Sequence, residues 1–151
     1  MPTNDDQVLR WDVQPMSYAP PSPPLVERLA REFFAAIDDR DPQRLEATLA
    51  PHATFRALPH QPPVRPAGEI VNHFGAVVSS YPDARWEVTD VIVQEDRAAV
   101  LFVVREPSRR LGRDLISEQV AVFRIADAKI VSIVGFYDSA EFHRVFWDEG
   151  V

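Results

Sequence analysis

Apolar residues recur at helical spacing from Leu25 onward: Leu25, Leu29, Phe33, Ala36 and Ile37 share one stripe, with Glu27, Arg31 and Asp38 off it. The spacing predicts a helix that ends near Asp39. The stretch D-P-Q-R-L-E-A-T-L follows, with Asp41 placed to cap a second, short helix and Pro42 in its first turn, where a missing N–H costs nothing. Next, A-T-F-R-A-L alternates in the manner of a short strand. Beyond a proline-rich loop, E-I-V-N-H-F-G-A-V-V-S-S-Y returns to the helical period, with Ile70, Phe74, Val77 and Tyr81 on its face and Pro82 ending it.

The second half of the chain alternates with period two. W-E-V-T-D-V-I-V-Q and A-A-V-L-F-V-V-R-E are separated by E-D-R, a hairpin signal. L-I-S-E-Q-V-A-V-F-R-I and K-I-V-S-I-V-G-F-Y are joined by A-D-A, and P-S-R-R-L-G-R-D makes the longer connection between the two hairpins. The segment S-A-E-F-H-R-V-F-W predicts a closing helix. The order ααβαββββα is that of an α+β protein whose helices pack on one face of a curved, mostly antiparallel sheet.

Composition narrows the possibilities. Prolines cluster at Pro15, Pro20, Pro21, Pro23 and Pro24, so residues 1–22 form an extended arm and residues 23–151 a single domain. The arm carries Trp11, Met16 and Tyr18, which suit either a tail or a strap laid across the body or a partner subunit. Sixteen basic against 23 acidic side chains give a net charge of −7, which argues against nucleic acid and anionic membranes as partners. The chain has no cysteine, which excludes disulfides, thiolate metal sites and thiol nucleophiles. The opening M-P-T-N-D-D-Q is unlike a signal or transit peptide, and no apolar run approaches the roughly 20 residues of a membrane span; the expectation is a cytoplasmic protein.

The stretch S-E-Q-V-A-V-F-R-I-A-D-A-K-I, followed by a strand ending in G-F-Y-D and then a helix, resembles the SnoaL-like polyketide cyclases. So do D-D-R-D-P-Q-R-L-E-A-T-L-A-P-H-A-T-F and H-F-G-A-V-V-S-S-Y-P-D-A-R-W-E-V. These cyclases share a fold with nuclear transport factor 2 and ketosteroid isomerase, the cystatin-like α+β barrel. The resemblance spans about residues 25–147. It implies a cone: a curved sheet wrapped around a cavity that helices close. Family members use that cavity for small, mostly apolar molecules and for proton transfer, in which a buried carboxylate or histidine acts as acid or base without a cofactor.

At the positions where that resemblance places acid/base groups, this chain carries none. Gly135, three before Asp138, stands where the cyclases have an aspartate. Ala121 stands where the cyclase has a histidine and the isomerase an aspartate. Ala57 takes the place of the isomerase's general base, and Phe33 that of its hydrogen-bonding tyrosine. Strand alternation adds Phe55, Phe123, Ile133 and Gln119 to the same inner face.

Candidate chemistry then falls to His73, Tyr137 and Asp138. His73 has helical spacing with Ile70 and Val77 and is either a half-buried structural histidine or a proton shuttle at the cavity. Tyr137 shares the parity of Gly135 and is either core or a hydroxyl aimed inward. Asp138 stands three residues before Glu141, as a helix cap or as a ligand-orienting carboxylate. His60, in L-P-H-Q-P-P, belongs to a loop placed to cover the pocket; His52 and His143 have turn and surface settings. No histidine pair has zinc-site spacing, so no metal is expected. Arg105, Arg109, Arg110 and Arg113 crowd one end of the sheet, as a solvated loop or a clamp for an anion. Glu118 and Arg124 belong to the outer face, which in this fold often pairs with a second subunit, so a homodimer is expected. Two functions follow: an enzyme of cyclase, isomerase or dehydratase type acting on a polyketide or terpenoid, or a non-catalytic module binding a small hydrophobic molecule or a protein.

Overall fold

The computed structural model describes residues 21–108 and 111–148. The expectations for Trp11, Met16 and Tyr18, and for Arg109 and Arg110, lie outside the described residues.

Helix α1, Pro23–Asp38, starts where Ser22 accepts a hydrogen bond from the Leu25 N–H at 3.4 Å and Pro23 occupies the first turn. Its buried stripe is wider than the sequence spacing indicates. Val26, Ala30 and Phe34 are buried together with Leu29, Phe33, Ala36 and Ile37, while Leu25 sits at the edge, because the helix contacts both the sheet and the next helix. Helix α2, Pro42–Thr48, is capped as expected, with the Asp41 carboxylate accepting from the Arg44 N–H at 3.1 Å.

Strand β1, Leu49–Arg56, begins earlier and ends earlier than A-T-F-R-A-L suggests. Its pairing shifts register between Leu49 and Thr54, and the irregular stretch carries Pro51 and His52 outward, which hides the alternation from the sequence. Helix α3, Ala67–Ser80, follows the loop. Strands β2 (Arg85–Gln94), β3 (Arg97–Ser108), β4 (Arg113–Ala126) and β5 (Lys129–Phe136) form the antiparallel meander. The sheet order is β1-β5-β4-β3-β2, and β1 joins β5 in parallel, so the sheet is mixed. Asp127 and Ala128 turn the β4–β5 hairpin with φ of 52° and 61°, the twist a two-residue hairpin requires, although Ala128 takes a conformation that favours glycine.

One polar brace locks the helices to the sheet. Arg40, at φ 54°, donates to the carbonyls of Asp38 at 2.8 Å, Pro82 at 3.1 Å and Ala84 at 2.6 Å. Its guanidinium also lies 5.5 Å from the centre of the Trp86 ring. The Asp38 carboxylate accepts from the Trp86 N–H at 2.9 Å and from Arg85 at 2.6 Å. The end of α1 thereby fixes where β2 begins.

The closing segment is not one continuous α-helix through Trp147. It is a single α-turn, α4, Ser139–Phe142, that widens into a π-helical stretch, His143–Asp148. Phe142 and Phe146 stack with centroids 4.5 Å apart and planes at 15°. Val145 and Phe146 pack with Leu115, and Phe146 meets Tyr81 edge-on.

Candidate functional site

Strand register arranges the inner face of the sheet in rows. Phe55, Ile133, Phe123 and Ala98 make one row across β1, β5, β4 and β3. In the next row Gly135 faces Ala121 and Ala121 faces Val100, with Ala57 beside Gly135 just past the end of β1. The row after that sets Gln119 opposite Phe102. Tyr137 continues β5 at that level, one step past the Val120–Phe136 pair.

The first row is filled by large side chains. The second is nearly bare, since Ala57, Gly135 and Ala121 carry almost no side-chain volume. Over this bare floor lies α3, which buries only Ala67 and Ile70 and leaves His73, Phe74 and Val77 half-buried beneath it. The space between is a cavity of about 410 Å³. Its wall is aromatic and aliphatic: Phe33, Phe34, Phe55, Phe74, Trp86, Phe102, Val104, Phe142 and Phe146 all contribute. Larger in volume, about 590 Å³, is an open depression between α1 and Val93. It is bordered by Glu27, Arg28, Arg31 and Glu32, and its Glu27–Arg31 pair at 2.9 Å is exposed, as on a solvated helix face.

Phe33, Ala57, Ala121 and Gly135, the four positions at which the sequence resemblance leads one to expect polar machinery, all line the cavity. Gly135 has a packing reason to be glycine. A Cβ built there would collide with the carbonyl oxygen of Ala57 and stand 3.2 Å from its carbonyl carbon. The close approach of β1 to β5 leaves no room for a side chain, least of all a carboxylate.

The polar groups of the cavity are therefore uncharged or borne by helices and strand ends. Gln61, His73, Tyr81, Gln119 and Tyr137 line it. The His73 ring is 5.2 Å from both Phe55 and Phe74, and burial pulls its imidazole below the ordinary value of 6.5, so the neutral form prevails at pH 7. Tyr137 packs on Phe142 with centroids 5.5 Å apart, and burial raises its phenol above 10.0, so it stays protonated and able to donate. Gln119 donates from Nε2 to Ser117 Oγ at 3.1 Å and keeps a carbonyl oxygen for another partner. Among the described residues no group of three His, Cys, Asp or Glu side chains is placed to hold a metal ion.

Three expected site residues are placed elsewhere. Phe123 is fully buried behind the wall, edge-on to Phe33 at 5.3 Å and to Phe34 at 5.7 Å. His60 is exposed and not part of the lining; its neighbour Gln61 lines the cavity instead. Asp138 is exposed and caps α4, its carboxylate accepting from the Glu141 N–H at 3.0 Å. Arg105 pairs with Asp114 at 3.5 Å. Among the lining residues that sequence reasoning missed are Phe34, Gln61, Trp86, Phe102 and Val104. Phe34 and Trp86 were legible as large apolar residues in periodic segments, whereas Gln61, in an aperiodic loop, gave no signal.

The fold has known counterparts. A family model described as the SnoaL-like domain matches residues 30–133 of the 151. Comparison with curated proteins gives no match. Among solved structures, an NTF2-like protein of unknown function from Burkholderia pseudomallei is similar at TM-score 0.69 and 22% identity, over 82% of this chain and 98% of that one. IdmH of Streptomyces antibioticus, provisionally named a polyketide cyclase, is similar at TM-score 0.69 and 20% identity, over 83% and 99%. A SnoaL-like protein of Jannaschia, also provisionally named a polyketide cyclase, is similar at TM-score 0.71 and 16% identity, over 85% and 96%.

Proposed function

The chain belongs to the SnoaL-like domain family, and from that premise we propose that its cavity binds a small hydrophobic molecule and works on it by acid/base chemistry, with His73 as base and Tyr137 as hydrogen-bond donor. The observation that carries this reading is the pairing of a largely apolar cavity of about 410 Å³ with a neutral imidazole and a protonated phenol in its wall. A buried neutral histidine can take a proton from a carbon acid or hydroxyl, and a phenol can steady the oxygen on which charge gathers. The polyketide cyclase names of IdmH and the Jannaschia protein point to ring closure, isomerisation or dehydration of a polyketide or terpenoid skeleton. No cofactor takes part in such a step.

A second reading, a non-catalytic carrier, draws on the bare floor of Ala57, Gly135 and Ala121 and on the use of Asp138 as a cap. Hydrogen–deuterium exchange separates the two. A β-keto aromatic ketone bound to an enzyme of this design exchanges its acidic C–H with solvent, and His73→Phe slows that exchange about 100-fold or more. The rate falls as the imidazole takes up a proton, at a lower pH than an ordinary histidine gives, because burial lowers its pKa. Binding without exchange leaves the carrier.

The same proposal includes a homodimer through the outer sheet face. Ile116 and Phe136 are 43% and 46% exposed there, beside half-buried Leu101, Val103, Val120, Val122 and Val134. Sedimentation that gives a monomer at micromolar concentration removes the dimer.

A further inference from the structure

Glu106 stands outside the polar set just described, yet it belongs to the same face of the sheet. Alternation along β3 puts Val100, Phe102, Val104 and Glu106 on the inner side. Register sets Glu106 opposite Leu115 of β4 and, one step past the Arg85–Arg105 pair, beside Ala84. Val104 and Ala84 line the cavity, and Leu115 packs on Phe146, which lines it too. Glu106 is not itself among the lining residues; it follows them on the inner face, just beyond the cavity's end nearest the start of β2. Its Oε2 is buried and has no hydrogen-bond partner. Buried carboxyl oxygens are seldom left in that state, and an orphaned one calls for an explanation such as a missing ligand.

We propose that Glu106 is a ligand-contacting residue whose Oε2 meets an uncharged oxygen function, a hydroxyl or a carbonyl, at one end of the molecule in the cavity. The inference rests on reading the cavity as a small-molecule site. The surroundings select the neutral class. From the α3–β2 connection come the Asp83 N–H, hydrogen-bonded to the carboxyl, and the Asp83 carboxylate, which repels a second anion. Arg40 faces Glu106 from the α1–α2 connection, but its guanidinium is spent on the carbonyls of Tyr81, Pro82 and Ala84. Strand β4 offers Leu115 and Ser117, both uncharged, while Arg105 and Asp114 pair with each other on the opposite face. The closing helix contributes Val145 and Phe146. Burial, reinforced by Asp83, raises the Glu106 carboxyl from its ordinary value, so its O–H form persists as a donor to higher pH than a free side chain allows.

Two fluorescent probes of one skeleton test this: prodan, a dimethylaminonaphthalene with a propionyl ketone, and the same dimethylaminonaphthalene without the ketone. At about pH 4.5 the wild-type protein binds the ketone about fivefold more tightly than its ketone-free analogue, the worth of one neutral hydrogen bond. Glu106→Gln, which keeps an N–H donor, retains that preference within about twofold, and Glu106→Leu loses it. The wild-type preference also fades as rising pH ionises the carboxyl, while that of Glu106→Gln stays level, a readout that needs no disruptive variant. A preference unchanged in Glu106→Leu, or a flat wild-type pH profile, overturns the role of Glu106 while binding of both probes leaves the cavity reading standing. Failure of the wild-type protein to bind either probe overturns both.

Discussion

The inner face of the sheet has two halves, built on the same strands and covered by helices of the same bundle, and they are filled in opposite ways. Toward the β4–β5 turn, Phe123, Ile125, Ile130 and Ile133 lock against Val26 and Phe33 of α1 with almost no exposure. One row further along, the chain places Ala57, Gly135 and Ala121, and the space they leave becomes the cavity. Side-chain volume makes the difference. The packed half converts apolar area into stability at roughly 25 cal/mol per Å², and the hollow half forgoes that gain to keep a space that a ligand can fill.

The largest effect expected from this contrast is at Phe123. Phe123→Ala costs about 3–5 kcal/mol in denaturant unfolding, whereas Val77→Ala, on the half-buried cover of the cavity, costs about 1 kcal/mol. Equal losses would break the comparison. Filling the floor comes next. Gly135→Asp, which installs a carboxylate on the cavity floor, drives a side chain into the Ala57 carbonyl and costs about 2 kcal/mol or more, with no gain in proton exchange. A stable, more active variant would show that β1 yields, and that the floor is soft.

The third test reads pH. His73 binds a proton less readily folded than unfolded, so in the window just below 6.5 the unfolded chain holds more protons. Stability is therefore full above 6.5 and declines as the pH falls through that window; melting curves of His73→Phe lack this component. The smallest effect belongs to the packed half's own turn. Ala128→Gly relieves φ of 61° and raises stability by about 0.5–1 kcal/mol without changing prodan affinity. Altered affinity there would mean that the two halves are coupled.

Much of the fold was written in local pattern. The period of Leu25–Ile37, the cap at Asp41, the hairpins at Glu95–Asp96 and Asp127–Ala128 and the cap at Asp138 each depend on residues within a few positions of one another, and each has its counterpart in the structure. Local pattern failed where the backbone broke its own period. The register shift in β1 and the π-helical turn after Phe142 each insert a residue that alternation or a 3.6 repeat does not foresee. Of the candidate site, parity placed Ala121, Gly135, Gln119 and Tyr137 on the cavity side, but parity also put Phe123 there, and it lies behind the wall.

What the sequence determined alone is which side of each element is apolar and where each turn falls, because those depend on residue type and spacing. What only the tertiary structure decided is how much room remains between the elements. That room depends on the parallel approach of β1 to β5, on a glycine pressed against Ala57, and on a helix that fully buries only Ala67 and Ile70. It also decided that Glu106, far along the chain from α1 and unremarkable near the end of a strand, has a carboxyl oxygen shut away from water without a partner. Periodicity records that a side chain is covered; the shape of what covers it arises from contacts far apart in the chain.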